Sequence, residues 1–213
     1  MAFQVWLTFL GAAVLISVSP GAGAVQCMAT GLTHGVRRGY WSIAGLEVGL
    51  MLQLALVAVG LGAAVANSIL AFHIIKWIGV AYLLYLAVHQ WRAAAVDLRA
   101  QVGGTVDGGR IALLVRGFLV NATNPKGLVF FLAVLPQFVN PTAPLLPQYL
   151  AIGATMVAVD LVVMGLYTGL AARLIRWLHT PRQQTILNRS LSGLFAAAAV
   201  VLSLVRRGGP ATA

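Results

Sequence analysis

The chain has 213 residues, of which 60% are hydrophobic and 8% charged, and it carries a net charge of +10. So apolar a composition excludes a soluble domain and marks an integral membrane protein. The basic residues flank apolar runs instead of covering a polar face, which makes them topology signals and excludes a nucleic-acid interface. The single cysteine, Cys27, excludes a membrane thiol–disulfide carrier, which needs two.

Apolar windows of about 20 residues predict six spans, over 4–31, 41–65, 74–91, 117–139, 149–172 and 189–205. Span one is interrupted by Ser19-Pro20-Gly21. The following Ala22-Gly23-Ala24 has the look of a signal-peptide cleavage site, but no basic residue precedes it and the apolar run continues past Met28, so the segment is taken as a retained span. The connection LTHGVRRG carries Arg37 and Arg38, and span two carries Glu47 about two turns in. Span three is bounded by Trp77 and Trp91, which suit the membrane interface. The glycine-rich stretch 93–115, with Asp97 and Asp107, predicts a linker between two three-span halves, residues 1–92 and 116–213.

Span four, RGFLVNATNPKGLVFFLAVLPQFV, holds Asn121, Asn124, Pro125 and Lys126 well inside its length. A proline there removes one backbone hydrogen bond and displaces the carbonyl four residues earlier, that of Asn121. In hydrocarbon that carbonyl needs another partner, so a break flanked by amides and an ammonium predicts a binding site. A turn with Pro141, Pro144 and Pro147 leads to span five, which carries Asp160 in its middle and Tyr167 two turns on, placed to orient the Asp160 carboxyl or to pack. His34, His73, His89 and His179 fall near span ends without metal-ligand spacing. Gly31, Gly35, Gly39, Gly45, Gly49, Gly165 and Gly169 recur at the spacing of small-residue helix packing.

Ten basic residues, from Arg37 to Arg189, fall on one predicted side, against Lys76, Arg206 and Arg207 on the other. The positive-inside rule then predicts a cytoplasmic linker and both termini outside. Three spans per half is odd, so equivalent halves would be inverted relative to each other. At 1.5 Å per residue, Pro20, Glu47, Pro125 and Asp160 all fall roughly 9–18 Å from the cytoplasmic ends of their spans, around the middle of a ~30 Å hydrocarbon layer. Charged groups at that depth are costly and usually serve a cavity. The expected architecture is an all-α membrane protein of two inverted three-helix repeats with proline-broken spans one and four. Lys126 and the breaks suit a substrate carboxylate, while Glu47 and Asp160 suit a proton or a substrate ammonium. The alternatives are an intramembrane enzyme with Glu47 and Asp160 as an acid/base pair, and a metal-cation exporter.

The span-four segment, together with Ser-Pro-Gly in span one and KWIGVAYLLYLA in span three, resembles the lysine exporter and homoserine/threonine-resistance (LysE/RhtB) family of bacterial amino-acid exporters. The resemblance covers essentially the whole chain, and Asn124-Pro125-Lys126 with Leu135-Pro136-Gln137-Phe138-Val139 is its most specific part. After Ser19-Pro20-Gly21 the family pattern has a proline and an asparagine where this chain has Ala22 and Gly23, so no contact carries over to those two positions. The resemblance implies a multi-pass inner-membrane exporter of amino acids or derivatives (homoserine or threonine, leucine-like, or basic), driven by proton antiport and without a cofactor or metal. Ser19, Pro20, Gly21, Asn121, Asn124, Pro125 and Lys126 are the candidates for substrate binding. Glu47, Asp160 and Tyr167 are the candidates for coupling, with the amino acid, protons and the bilayer as partners and assembly into homo-oligomers left open.

Overall fold

The computed structural model describes residues 3–65, 69–93, 108–177 and 180–204, and these form helices with no strand among them. The helices are α1 (Phe3–Val18), α2 (Ala22–Val65), α3 (Ile69–Arg92), α4 (Arg110–Ala122), α5 (Pro125–Phe138), α6 (Leu145–Gly169), α7 (Ala171–Trp177) and α8 (Pro181–Leu204). Large apolar side chains such as Phe3, Val59, Ile111, Leu146 and Val162 point outward, while Glu47, Gln53, Asn121 and Asp160 are buried. A surface of that kind is stable only against lipid. Most of the linker 93–115, with Asp97 and Asp107, lies outside the described residues, as do His179, Arg206 and Arg207.

The predicted connection between spans one and two shrinks to a single residue. Helix continues from Ala22 to Val65, interrupted in its dihedrals only at Gly35, with φ 73° and ψ 172°. Only glycine adopts that backbone without strain. The chain doubles back there: Gln26 Nε2 donates to Ser42 Oγ at 3.3 Å, whereas 16 residues of straight helix would hold the two about 24 Å apart. α2 is therefore two antiparallel legs, 22–34 and 36–65. Helix α4 likewise starts at Arg110, inside the stretch taken as linker, because its apolar face buries Leu113 against Met28, Ala29 and Ala171. Pro181 opens α8 eight residues before the predicted span, its fixed φ suiting a first helical position.

Helix α2 packs most extensively against α4 and α6, α6 also meets α1, and α3 runs against α8 and α5. Phe9, Leu50, Leu54, Phe130, Phe131, Ile152 and Phe195 form the largest core cluster at the centre of these contacts. At the Arg92 end, α3 and α8 are clasped by polar groups. Gln90 Nε2 donates to Asn188 Oδ1 at 2.8 Å and Ser192 Oγ to the Ala87 carbonyl at 2.7 Å. The Arg189 guanidinium lies 5.0 Å over the Trp91 ring, the arrangement of an interfacial anchor. In the turn before α6, Gln148 ties down the backbone, accepting from Asn140 N and donating to the Asn140 and Pro144 carbonyls.

Candidate functional site

Helices α4 and α5 meet at an angle of 52°. Asn124 is the cap between them: its backbone is extended, its side chain accepts from Lys126 N at 3.0 Å, and Pro125 occupies the first helical position. The displaced Asn121 carbonyl has partners in Asn124 N, at 3.0 Å, and Gln53 Nε2, at 2.8 Å. The same Gln53 amide donates to the Asn124 carbonyl at 2.8 Å, and the Asn121 side chain returns a hydrogen bond to the Leu46 carbonyl at 2.7 Å. The break is thus braced by the second leg of α2. Gln53 is absent from the sequence-derived candidates; its signal was a lone amide in the middle of an apolar span. Replacing Gln53 with Leu keeps its bulk but strips the donor from the Asn124 carbonyl and one of two donors from that of Asn121, at roughly 1–3 kcal/mol for a group left unsatisfied. The purified variant is expected to unfold several degrees below the parent in a thermal scan, and an unchanged midpoint would remove Gln53 from this role.

The other break is held from the opposite half. Pro20 supplies no N–H, and α1 ends with carbonyls that require outside donors. Lys126 Nζ donates to the carbonyls of Ser19, at 2.6 Å, and Ile16, at 3.1 Å. The Tyr167 hydroxyl donates to the Val18 carbonyl at 2.7 Å, so its bond goes to α1 and not to Asp160. An ammonium at this place meets the negative end of the α1 dipole, which offsets part of the cost of its burial. With two of its three N–H groups on carbonyls, Lys126 keeps one donor for another acceptor.

Between the two breaks lies a cavity of about 60 Å³, room for a few water molecules at ~10–15 Å³ each. Ser19, Gly21, Asn121, Asn124, Lys126 and Asp160 line it, with Ser17 as a further polar group and Phe130, Phe131 and Met156 as apolar wall. Six of the ten sequence-derived candidates therefore share one surface. Pro20 and Pro125 shape the breaks, Tyr167 anchors α1, and Glu47 stands outside the lining, buried in the second leg of α2. Ser17 was missed because a serine one residue from the end of an apolar helix carries no signal of its own.

Residues 14–205 match the family model of the LysE type translocators. The chain belongs to this family. Among its relatives are the homoserine/homoserine lactone efflux protein of Salmonella typhimurium, 44% identical over 97% of this chain and 99% of that protein, and an uncharacterized membrane protein of Vibrio cholerae, 40% identical over 97% and 100%. A more distant one is the leucine efflux protein of an Enterobacter species, 27% identical over 89% of each chain. No solved structure matches. Membership makes this LysE type translocator a membrane transporter and sets aside the reading of Glu47 and Asp160 as an enzyme's acid/base pair. Asn124, Pro125 and Lys126, the most specific part of the resemblance, are the residues of this translocator that form the break facing α1.

Proposed function

We propose that this translocator exports small amino acids of the homoserine class, with their lactones, by antiport against protons across the bacterial inner membrane. The observation that carries the reading is the pairing of Lys126 and Asp160 on the wall of one small cavity between two broken helices. A zwitterion needs a cation for its carboxylate and an anion for its ammonium, and here both face the same space. Ser17 and Asn124 add polar groups for a short hydroxylated side chain. The 44% identity to a homoserine/homoserine lactone efflux protein, against 27% to a leucine efflux protein, favours the smaller and more polar substrate. A metal-cation exporter fits less well, because Lys126 stands in the cavity and no three His, Cys, Asp or Glu side chains gather among the described residues.

The architecture that best accommodates this activity is a pair of inverted three-span repeats. In it α1 with the first leg of α2 corresponds to α4 with α5, the second leg to α6, and α3 to α8. One pairing supports it, since the second leg against α4, at Gly45 and Gly49, mirrors α6 against α1. The basic connections would face the cytoplasm and both termini the outside, so a reporter fused at Gly104 should report as cytoplasmic.

Cells fed a homoserine-containing dipeptide test the substrate directly. Cells making the protein should accumulate more homoserine outside than cells without it, and a protonophore should abolish the difference. Extracellular leucine rising instead, with homoserine unchanged, would overturn the substrate class.

A further inference from the structure

The two carboxyls that a zwitterion exporter would use stand in different surroundings. Glu47 and Asp160 are each only 7% exposed. Asp160 opens onto the cavity beside Lys126, Ser17 and Asn124, whereas Glu47 does not reach it. Leu46 and Met164, which form part of the cavity wall, also close the apolar cluster with Cys27 and Ile43 that lies on the Glu47 side. Both carboxyl oxygens of Glu47 are enclosed, and no protein N–H or hydroxyl donates to them; the polar group within hydrogen-bonding reach is the Asp160 carboxyl, with which Glu47 can share a proton. Its ionisable neighbours are Asp160 from α6 and Cys27 from the first leg of α2, and Lys126 of α5 faces Asp160 in turn. From α4, the residues packed on this stretch of α2 include Leu114, Phe118, Asn121 and Ala122, none of which titrates. Ser17 of α1 stands beside Asp160.

A substrate ammonium can reach Asp160 but not a carboxyl behind the wall; a proton passed from one acid to the other can. We propose that the two acids divide the coupling, Asp160 receiving the substrate ammonium in the cavity and Glu47 holding the counter-transported proton behind it. The assignment rests on the antiport reading above. As the substrate leaves, a proton from outside binds the Asp160 carboxylate. It then moves to the Glu47 carboxylate, which becomes the neutral acid and restores an anionic Asp160 for the next ammonium. Glu47 gives the proton up to the cytoplasm, so one proton enters for each substrate exported and no other reactant is consumed.

The experiment uses the full chain in liposomes with radiolabelled L-homoserine, measuring exchange without a gradient and accumulation driven by an imposed pH gradient. For Glu47→Gln the loss in gradient-driven accumulation should exceed the loss in exchange by at least about tenfold. Asp160→Asn should lose both together, and Glu47→Asp should recover part of the gradient response, which separates a proton-holding role from mere packing. Equal losses of exchange and accumulation in Glu47→Gln, or full gradient response in that variant, overturn the division. A parent protein that exchanges homoserine but ignores the gradient overturns the antiport reading and the division with it, a result distinct from failure of the Glu47 variant alone.

Discussion

Lys126→Met is expected to abolish homoserine export, by a factor of at least about 100, while sparing homoserine lactone by comparison. A methionine at this depth removes a costly buried charge, so if Pro125 did no more than bend a helix the variant would be harmless or would insert more easily. The structure gives the ammonium two duties instead. It donates to the Ile16 and Ser19 carbonyls, and hydrogen bonds of a charged donor are worth roughly 1.5–3 kcal/mol each. It also presents a third donor to the cavity, where it meets the substrate carboxylate in our reading. The lactone separates the duties, because its carboxyl group is closed on its own hydroxyl and carries no anion. Export of both compounds by cells making the variant is the measurement. An equal loss for homoserine and its lactone would show that Lys126 serves only to hold the end of α1.

Gly45→Val is expected to prevent assembly of the helical core. A Cβ at Gly45 would run into the main-chain carbonyl of Leu114, and one at Gly117 into that of Ser42. The obstacles are backbone atoms on both sides of the α2–α4 contact, so no rotamer change relieves them. Overpacking of a closed core costs typically 1–3 kcal/mol, and here the two helices would have to separate along the face that carries both Glu47 and the Asn121 break. The yield of monodisperse protein after detergent extraction should fall at least about tenfold. Gly165→Ala is the control: a Cβ there meets nothing within 4 Å, and alanine in place of a helical glycine stabilises by up to about 1 kcal/mol. Comparable yields of Gly45→Val and the parent would mean that the interface does not limit folding.

These two glycines illustrate where spacing stopped being informative. Gly45 with Gly49 and Gly165 with Gly169 share the same four-residue interval, yet the first pair sits against the backbone of α4 and Gly165 touches nothing. A four-residue interval marks a face of a helix but not which face meets a neighbour. Gly35 belonged to the same series and is instead the point where α2 folds back on itself. The proline breaks were different in kind, because the loss of an N–H at Pro20 and Pro125 is a property of the residue and has the same consequence in any fold.

What the sequence determined by itself was therefore whatever follows from one residue or one run. Apolar runs required a membrane, prolines within them required breaks, and isolated charges in them required a polar interior to receive them. That is why Ser19, Gly21, Asn121, Asn124, Lys126 and Asp160 could be named in advance and are found on one cavity. The tertiary structure alone decided who satisfies whom. Lys126 reaches carbonyls 107 and 110 residues away, Tyr167 reaches Val18 across 149, and Gln53 braces a break 68 residues downstream. No local pattern encodes such pairings, since a buried donor accepts any carbonyl that the packing brings within about 3 Å. Part of that packing is set where glycines let two backbones touch, as Gly45 and Gly117 do between the second leg of α2 and α4.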